Sequence, residues 1–192
     1  MQAVSWCGKD TLNVESVSDP QIVNPRDAIL KVTAATFCGS DLHLVGGYIP
    51  ALQPGDIIGH EFMGDIAEVG PAVTNLKTGD RVVVPSFIVC GKCAYCQQGL
   101  FSLCDNSNPN AWMADAVLGY SLAGVFGYTK VGGGYAGGLA EYVRIPFADT
   151  TAFKVPKDGL RDEQLLFISD AFPTGYMGAD FCNIRPGDTV AV

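Results

Sequence analysis

The stretch CGKCAYCQQGLFSLC, residues 90–104, places four thiols within fifteen residues and constrains the chain more than any other feature. Cys90, Cys93 and Cys96 recur at every third residue, and Cys104 follows eight later. A redox C-x-x-C pair needs only two thiols at a helix start. A tetrahedral zinc needs four soft donors at about 2.3 Å, and a tight loop of this spacing supplies them. Gly91 and Gly99 provide bends where the chain must wrap an ion. The spacing favours zinc over an iron–sulfur cluster or an empty, oxidised site. Four thiolates leave no coordination position for substrate, so such an ion is structural. A disulfide framework is disfavoured, because the seven cysteines are odd in number and no secretion signal precedes them.

At 192 residues the chain can bury one domain, or one domain and part of another. A hydrophobic share of 48% with 23 glycines and 11 prolines describes a turn-rich globular protein. The net charge of -8 and the lack of any Lys/Arg run argue against nucleic acid or an anionic membrane as partner. The N-terminus MQAVSWCGKD has neither a basic segment nor an apolar core, and no run approaches a bilayer-spanning length. A cytoplasmic location, where thiols stay reduced, is the expectation.

Residues 28–37 (AILKVTAATF) and 61–70 (EFMGDIAEVG) are expected to be strands. Residues 76–85 should form a turn at Thr78, Gly79 and Asp80 followed by a strand, and residues 138–146 another strand. Such regular spacing predicts a small β-barrel or sandwich. Near residue 160 the pattern becomes helical in LRDEQLLFISD and then in PTGYMGADFCNI, with Pro173 at a tolerated early position. IRPGDTVAV then reads as a turn entering a β-run cut off by the terminus, as at the front of a longer protein. The expected division is a β domain over 1–160 and a helical connection with a first strand of a further domain over 161–192. Residues 132–137, GGGYAG, satisfy G-x-G-x-x-G, yet a dinucleotide fingerprint follows a strand and opens a helix. This one precedes a strand, so it reads as a flexible turn.

The chain has only two histidines, His43 in CGSDLH and His60 in GHE. Cys38 follows one expected strand and His60 precedes another, so two strand ends can aim a thiolate and an imidazole at one point. A catalytic zinc takes three protein ligands and leaves one position open. Asp41 and Glu61 lie adjacent in sequence, and carboxylates serve well as acceptors for a ligand imidazole's remaining N–H.

CGSDLH, GHE, the four-cysteine lobe and the turn before the final run together resemble the zinc-dependent alcohol dehydrogenases of the medium-chain dehydrogenase/reductase superfamily. GHEFMG, CDNSNPN and SDAFPTGYMGAD are similar to its glutathione-independent formaldehyde dehydrogenase branch. The resemblance implies a mainly β fold with short helices: a GroES-like β-barrel catalytic domain with a structural zinc lobe, followed by the truncated start of a Rossmann domain. It implies two zinc ions per chain, one held by Cys90, Cys93, Cys96 and Cys104. The other is held by Cys38, His60 and a third ligand whose slot is Asp170. Cys182 is a rival donor, expected to be a buried core residue of the last helix.

The resemblance also assigns roles. Ser40 takes the proton from a zinc-bound oxygen, and His43 is the outer end of that relay, its pKa suited to exchange near neutrality. Glu61 stands behind the metal, Asp41 orients His60, and Thr174 lies near the nicotinamide. The implied reaction is oxidation of a small-molecule alcohol or aldehyde by hydride transfer to NAD(P). The glycine fingerprint of such a family would follow TVAV, so residues 1–192 by themselves are expected neither to bind NAD(P) nor to turn over. Apolar surface left exposed would favour a homo-oligomer. Residues 108–138 resemble an insertion of the formaldehyde dehydrogenase branch, lining an entrance or packing on another subunit or domain. The competing reading is a non-enzymatic, zinc-stabilised GroES-like binding or assembly module, which needs the four-cysteine lobe but no open metal with a proton path.

Overall fold

Apolar and β-branched runs separated by glycine and proline turns become ten short strands in the computed structural model, which describes residues 1–191. They are β1 (Gln2–Gly8), β2 (Thr11–Ser16), β3 (Ala28–Thr36), β4 (Asp56–Ile57), β5 (Glu61–Val69), β6 (Arg81–Val84), β7 (Phe87–Ile88), β8 (Gly124–Val125), β9 (Tyr142–Ile145) and β10 (Phe153–Lys154). The helices are short: α1 (Gly39–Val45), α2 (Ala94–Gln97), α3 (Ala111–Leu118), α4 (Ala148–Thr151), α5 (Asp162–Leu165) and α6 (Ala171–Phe181).

All pairing between strands is antiparallel. A five-stranded sheet runs β10-β6-β5-β3-β9, a three-stranded one β2-β1-β4, and β7 pairs with β8. The inner face of the larger sheet supplies Leu30, Phe62, Ile66, Val82, Val143 and Ile145, all buried in one cluster with Phe126. Phe62 and Phe126 meet edge to face, with centroids 5.2 Å apart. The register of β3 on β5 slips at Val32/Ala34, opposite Gly64. At that bulge the Lys31 carbonyl lies where a Cβ of residue 64 would sit, so only glycine fits.

The strand expected from residue 138 starts only at Tyr142. Residues 137–139 are committed elsewhere: the amides of Gly137, Gly138 and Leu139 donate to the carbonyls of Ile57, Gly59 and Ile58 at 2.9, 2.7 and 3.2 Å. Ala3 also bridges to Ala140, so this segment stitches the two sheets together. The unassigned residues 108–138 split in two. Ala123 through Gly127 are buried in the chain's own core, whereas α3 exposes Trp112, Val117 and Leu118. GGGYAG forms turns with left-handed Gly133 and Gly134 and opens no helix, as its place before a strand implied.

Two expectations about the C-terminal part are corrected. Cys182 is exposed, just past the end of α6, because residues 171–182 are all exposed and none of that helix's apolar side chains is buried among the described residues. Residues 184–188 do form the expected turn, with the Arg185 amide donating to Asp188 Oδ2 at 2.7 Å, but residues 188–191 join no strand. A strand is held by a neighbour's ladder, and none runs alongside among the described residues. Val192 lies outside the described residues.

Replacing Phe62 by alanine is expected to cost about 3–5 kcal/mol, since it empties a fully buried site and removes the edge-to-face contact with Phe126. Val14→Ala on exposed β2 should stay within about 0.5 kcal/mol. Urea denaturation of both variants checks the contrast.

Candidate metal centres

The four-cysteine lobe hangs from the barrel by polar contacts at its entry. Arg26 Nη2 donates to the Cys90 carbonyl at 3.0 Å, and the Thr150 hydroxyl donates to the Val89 carbonyl at 2.6 Å. Gly91 and Gly99 both adopt the left-handed conformation, at φ of 72° and 75°. The loop then brings Cys90, Cys93, Cys96 and Cys104 together, their sulfurs all within 4.8 Å of one another. Cys90 and Cys96 are 3.9 Å apart, and Cys93 and Cys104 are 4.0 Å apart. Sulfurs bound tetrahedrally at about 2.3 Å sit roughly 3.8 Å from each other, whereas a disulfide needs about 2 Å. The donor set fits one tetrahedral ion.

The thiols are electrostatically unequal. Burial opposes the Cys90 thiolate, but the Lys92 amide, the Asn106 side chain and the Cys93 amide pull its pKa down to about 6. Burial and the neighbouring Cys93 sulfur push Cys96 up to about 12. A cation among them removes this conflict.

The second cluster is assembled from three distant segments. Cys38 ends the run from β3 and caps α1, its amide donating to Asp41 Oδ2 at 2.9 Å. His60 and Glu61 lie at the start of β5 and are buried. Arg81 brings in the third segment: it donates to Asp162 and to the carbonyls of Pro156 and Leu160, fixing the chain that leads through α5 to Asp170. Donor atoms of Cys38, His60 and Glu61 all lie within 4.8 Å of one another. Asp170 joins through the imidazole, with Oδ2 3.4 Å from His60 Nε2. Nitrogen and oxygen bound to one ion at about 2.0–2.2 Å sit roughly 3.4 Å apart, so this separation also fits.

The other imidazole nitrogen faces Asp41. His60 Nδ1 lies 3.2 Å from Asp41 Oδ1, both atoms buried and neither with another partner. That contact leaves Nε2 directed toward Asp170 and the Ser40 hydroxyl, the latter at 3.3 Å. Burial works against a charge on His60, but Asp41, with Cys38 and Asp170, outweighs it and raises the pKa to about 9. Burial pushes the Glu61 carboxyl up, with only partial relief from Cys38. One imidazole thus answers to a thiol and three carboxylates, a donor excess suited to a divalent cation.

His43 is exposed three residues beyond Ser40 on α1 and meets Tyr48 edge to face. Thr174 donates to Asp170 Oδ1 at 2.9 Å, one turn into α6. A cleft of about 270 Å³ opens over the imidazole, lined by Ser40, His60, Ser86, Phe87, Leu122, Val125, Tyr128 and Asp170. A larger, mainly apolar cleft of about 540 Å³ shares Ser86, Phe87 and Asp170 with it and reaches Thr174 and Met177. Leu122, Val125 and Tyr128 were not singled out in the sequence. Their only signal was membership of an apolar, glycine-rich segment.

The fold and the family match below define a GroES-like domain that carries two clusters of metal-type donors. Residues 24–157 match the alcohol dehydrogenase GroES-like domain family, and the chain belongs to that family, within the medium-chain dehydrogenase/reductase superfamily. It is 46% identical over 193 residues to an uncharacterised zinc-type alcohol dehydrogenase-like protein of Bacillus subtilis, covering 100% of this chain and 49% of that protein. A glutathione-independent formaldehyde dehydrogenase of Pseudomonas aeruginosa is 34% identical over 202 residues, covering 100% and 47%. Among solved structures, an alcohol dehydrogenase from Thermus sp. superposes with a TM-score of 0.85 at 37% identity, covering 98% of this chain and 49% of that one. The chain spans about half the length of these relatives. No helix among the described residues is long and apolar enough to cross a membrane.

In metal-free protein a pKa above the ordinary 6.5 means that protonated His60 stabilises the fold; the contribution is full below pH 6.5 and lost as pH rises through about 9. Cys90 acts in the opposite sense, its lowered pKa giving stability that is present above pH 9.0 and lost as pH falls through about 6. The advantage of the wild type over His60→Gln in chelator-treated protein is therefore expected to shrink between pH 6.5 and 9, because the Cys90 contribution is common to both. Thermal midpoints across that window check it, and a flat difference refutes it.

Proposed function

We propose that residues 1–192 form the zinc-binding catalytic domain of an NAD(P)-dependent alcohol or aldehyde dehydrogenase. One observation carries this reading: a thiol, an imidazole and two carboxylates from three distant segments meet beside a cleft, with the imidazole's far nitrogen held by Asp41. In this reading Cys38, His60 and Asp170 hold the catalytic ion, with Glu61 behind it, and Cys90, Cys93, Cys96 and Cys104 hold the structural one. Zinc at the first position supplies Lewis acidity toward an alcohol or aldehyde oxygen, and a nicotinamide supplies the hydride acceptor.

The chain's own groups do the rest. Ser40, hydrogen-bonded to the imidazole edge, accepts the proton from the substrate oxygen in the smaller cleft as it releases its own hydroxyl proton. Exposed His43 passes it to solvent. Asp41 orients His60, while Phe87, Leu122, Val125 and Tyr128 keep water from the reacting oxygen. Thr174 steadies Asp170 and borders the larger cleft, the face assigned to the nicotinamide. We assign a small, uncharged alcohol or aldehyde as substrate and the cytoplasm as location, where the clustered thiols stay reduced.

Metal analysis tests the reading. Two zinc ions per chain are expected, one released by chelator and one resistant. His60→Gln and Asp170→Asn should abolish only the labile ion, and Cys104→Ser should release the other and unfold the lobe. A single ion, lost only on unfolding, would instead favour the non-enzymatic assembly module. Added NAD is expected to give residues 1–192 no thermal shift, because no G-x-G-x-x-G run among the described residues follows a strand and opens a helix. A saturable shift would refute that part.

A further inference from the structure

His60 carries the metal-facing nitrogen, yet its side chain is only as well placed as the backbone beneath it. That backbone is gripped by a segment far away in sequence. The amides of Gly137, Gly138 and Leu139 all donate to carbonyls of Ile57, Ile58 and Gly59, the three residues before His60. The approach is close enough to exclude side chains. A methyl group at Gly137 would overlap the Ile58 and Gly59 carbonyl oxygens, one at Gly127 would overlap the Gly59 backbone, and one at Gly138 would enter the Phe62 ring. From the other side, the Leu139 side chain occupies the space where Gly59 lacks a Cβ. Lys130 adds an ion pair to Asp56 at 2.7 Å, one element upstream.

We propose that Gly127, Gly137 and Leu139 form a positioning cradle whose purpose is the placement of His60 toward its cation, and which also carries Tyr128 as a wall of the ligand cleft. The assignment rests on the metal reading of His60 given above. The two uses belong to one piece of chain. Gly127 touches Gly59, and the next residue, Tyr128, meets the imidazole edge to face with centroids 6.2 Å apart. The close approaches of the cradle fall on residues 57–59 and 62, flanking His60; its other backbone bonds, from the Val4 amide to the Leu139 carbonyl at 2.7 Å and from the Gly127 amide to the Tyr135 carbonyl at 3.0 Å, also avoid the four-cysteine lobe. The cradle therefore acts on one centre and not the other. Ligand ions tolerate little misplacement, and disturbing the groups that orient a ligating histidine typically weakens a metal site 10–100-fold.

The test is cobalt(II) titration of the 192-residue chain, read by the visible absorption of each centre. The variants are Gly137→Ala, which pushes the strand away, and Leu139→Ala, which loosens it without a clash. Gly178→Ala on exposed α6, where a Cβ meets nothing, is the control. The expected result is cobalt binding at His60 weakened at least about tenfold in Gly137→Ala and several-fold in Leu139→Ala, with the cysteine centre and the control unchanged. Should wild type never load a second ion, the metal reading itself fails. If wild type loads two ions and both variants bind as tightly, only the cradle is refuted. If Gly137→Ala does not fold, Leu139→Ala decides alone. Weakening of both centres together in Leu139→Ala also refutes the proposal, since it would mark a general structural role.

Discussion

Acidic donors brought together out of water repel one another, and the fold is arranged around that repulsion. Four sulfurs lie within 4.8 Å in the lobe, and a thiol, two carboxylates and an imidazole crowd the second cluster. Burial penalises each anion, as the raised Cys96 and Glu61 pKa values record. The chain offers little internal relief. His60 is the only basic group inside its cluster, and no lysine or arginine lines either cleft beside it. Convergence of this kind is sustained by a cation, or by protons standing in for one. The raised pKa of His60 describes that substitute, a proton on the imidazole held among the surrounding carboxylates and thiol.

Three arginines of the scaffold serve in alignment, each bonded to a carbonyl or carboxylate and not to a ligand atom of either cluster. Arg26 ties Cys90 to the barrel, Arg81 ties the connection leading to Asp170, and Arg144 pairs with buried Asp27 at 2.9 Å. The Arg26 guanidinium also satisfies the carbonyl of buried Cys90, a group that burial would otherwise leave short of partners. These contacts fix the strands and connections that deliver the donors.

Much of this was legible in the sequence, and the reason is locality. The four-cysteine lobe is written in fifteen residues, so spacing alone pointed to the convergence of its sulfurs. β3, β5 and β6 announced themselves through apolar runs bounded by glycine turns, and they formed within a residue or two of expectation. What was illegible depends on contact at a distance. That residues 137–139 pair with Ile57–Gly59 instead of extending β9 follows from a close approach that composition cannot reveal. Cys182 looked like a core residue because α6 is apolar, but apolarity buries a helix only against a partner. Tyr128 carried no motif at all; it matters because Gly127 brings it beside the imidazole.

The two centres therefore differ in how much of the fold each requires. Closing the cysteine lobe orders one short loop, whose entropic cost is small and local. The His60 centre joins the end of β3, the start of β5 and the residue before α6, with the whole five-stranded sheet between the first donor and the last. Its geometry can be no better than the sheet's register and the glycine contacts that pin Gly59. A centre built this way reports on the integrity of the barrel, whereas the sulfur cage reports only on its own loop. The same dependence places this cluster where three segments meet at a cleft, since such a junction can gather donors and still leave one side open to a small molecule.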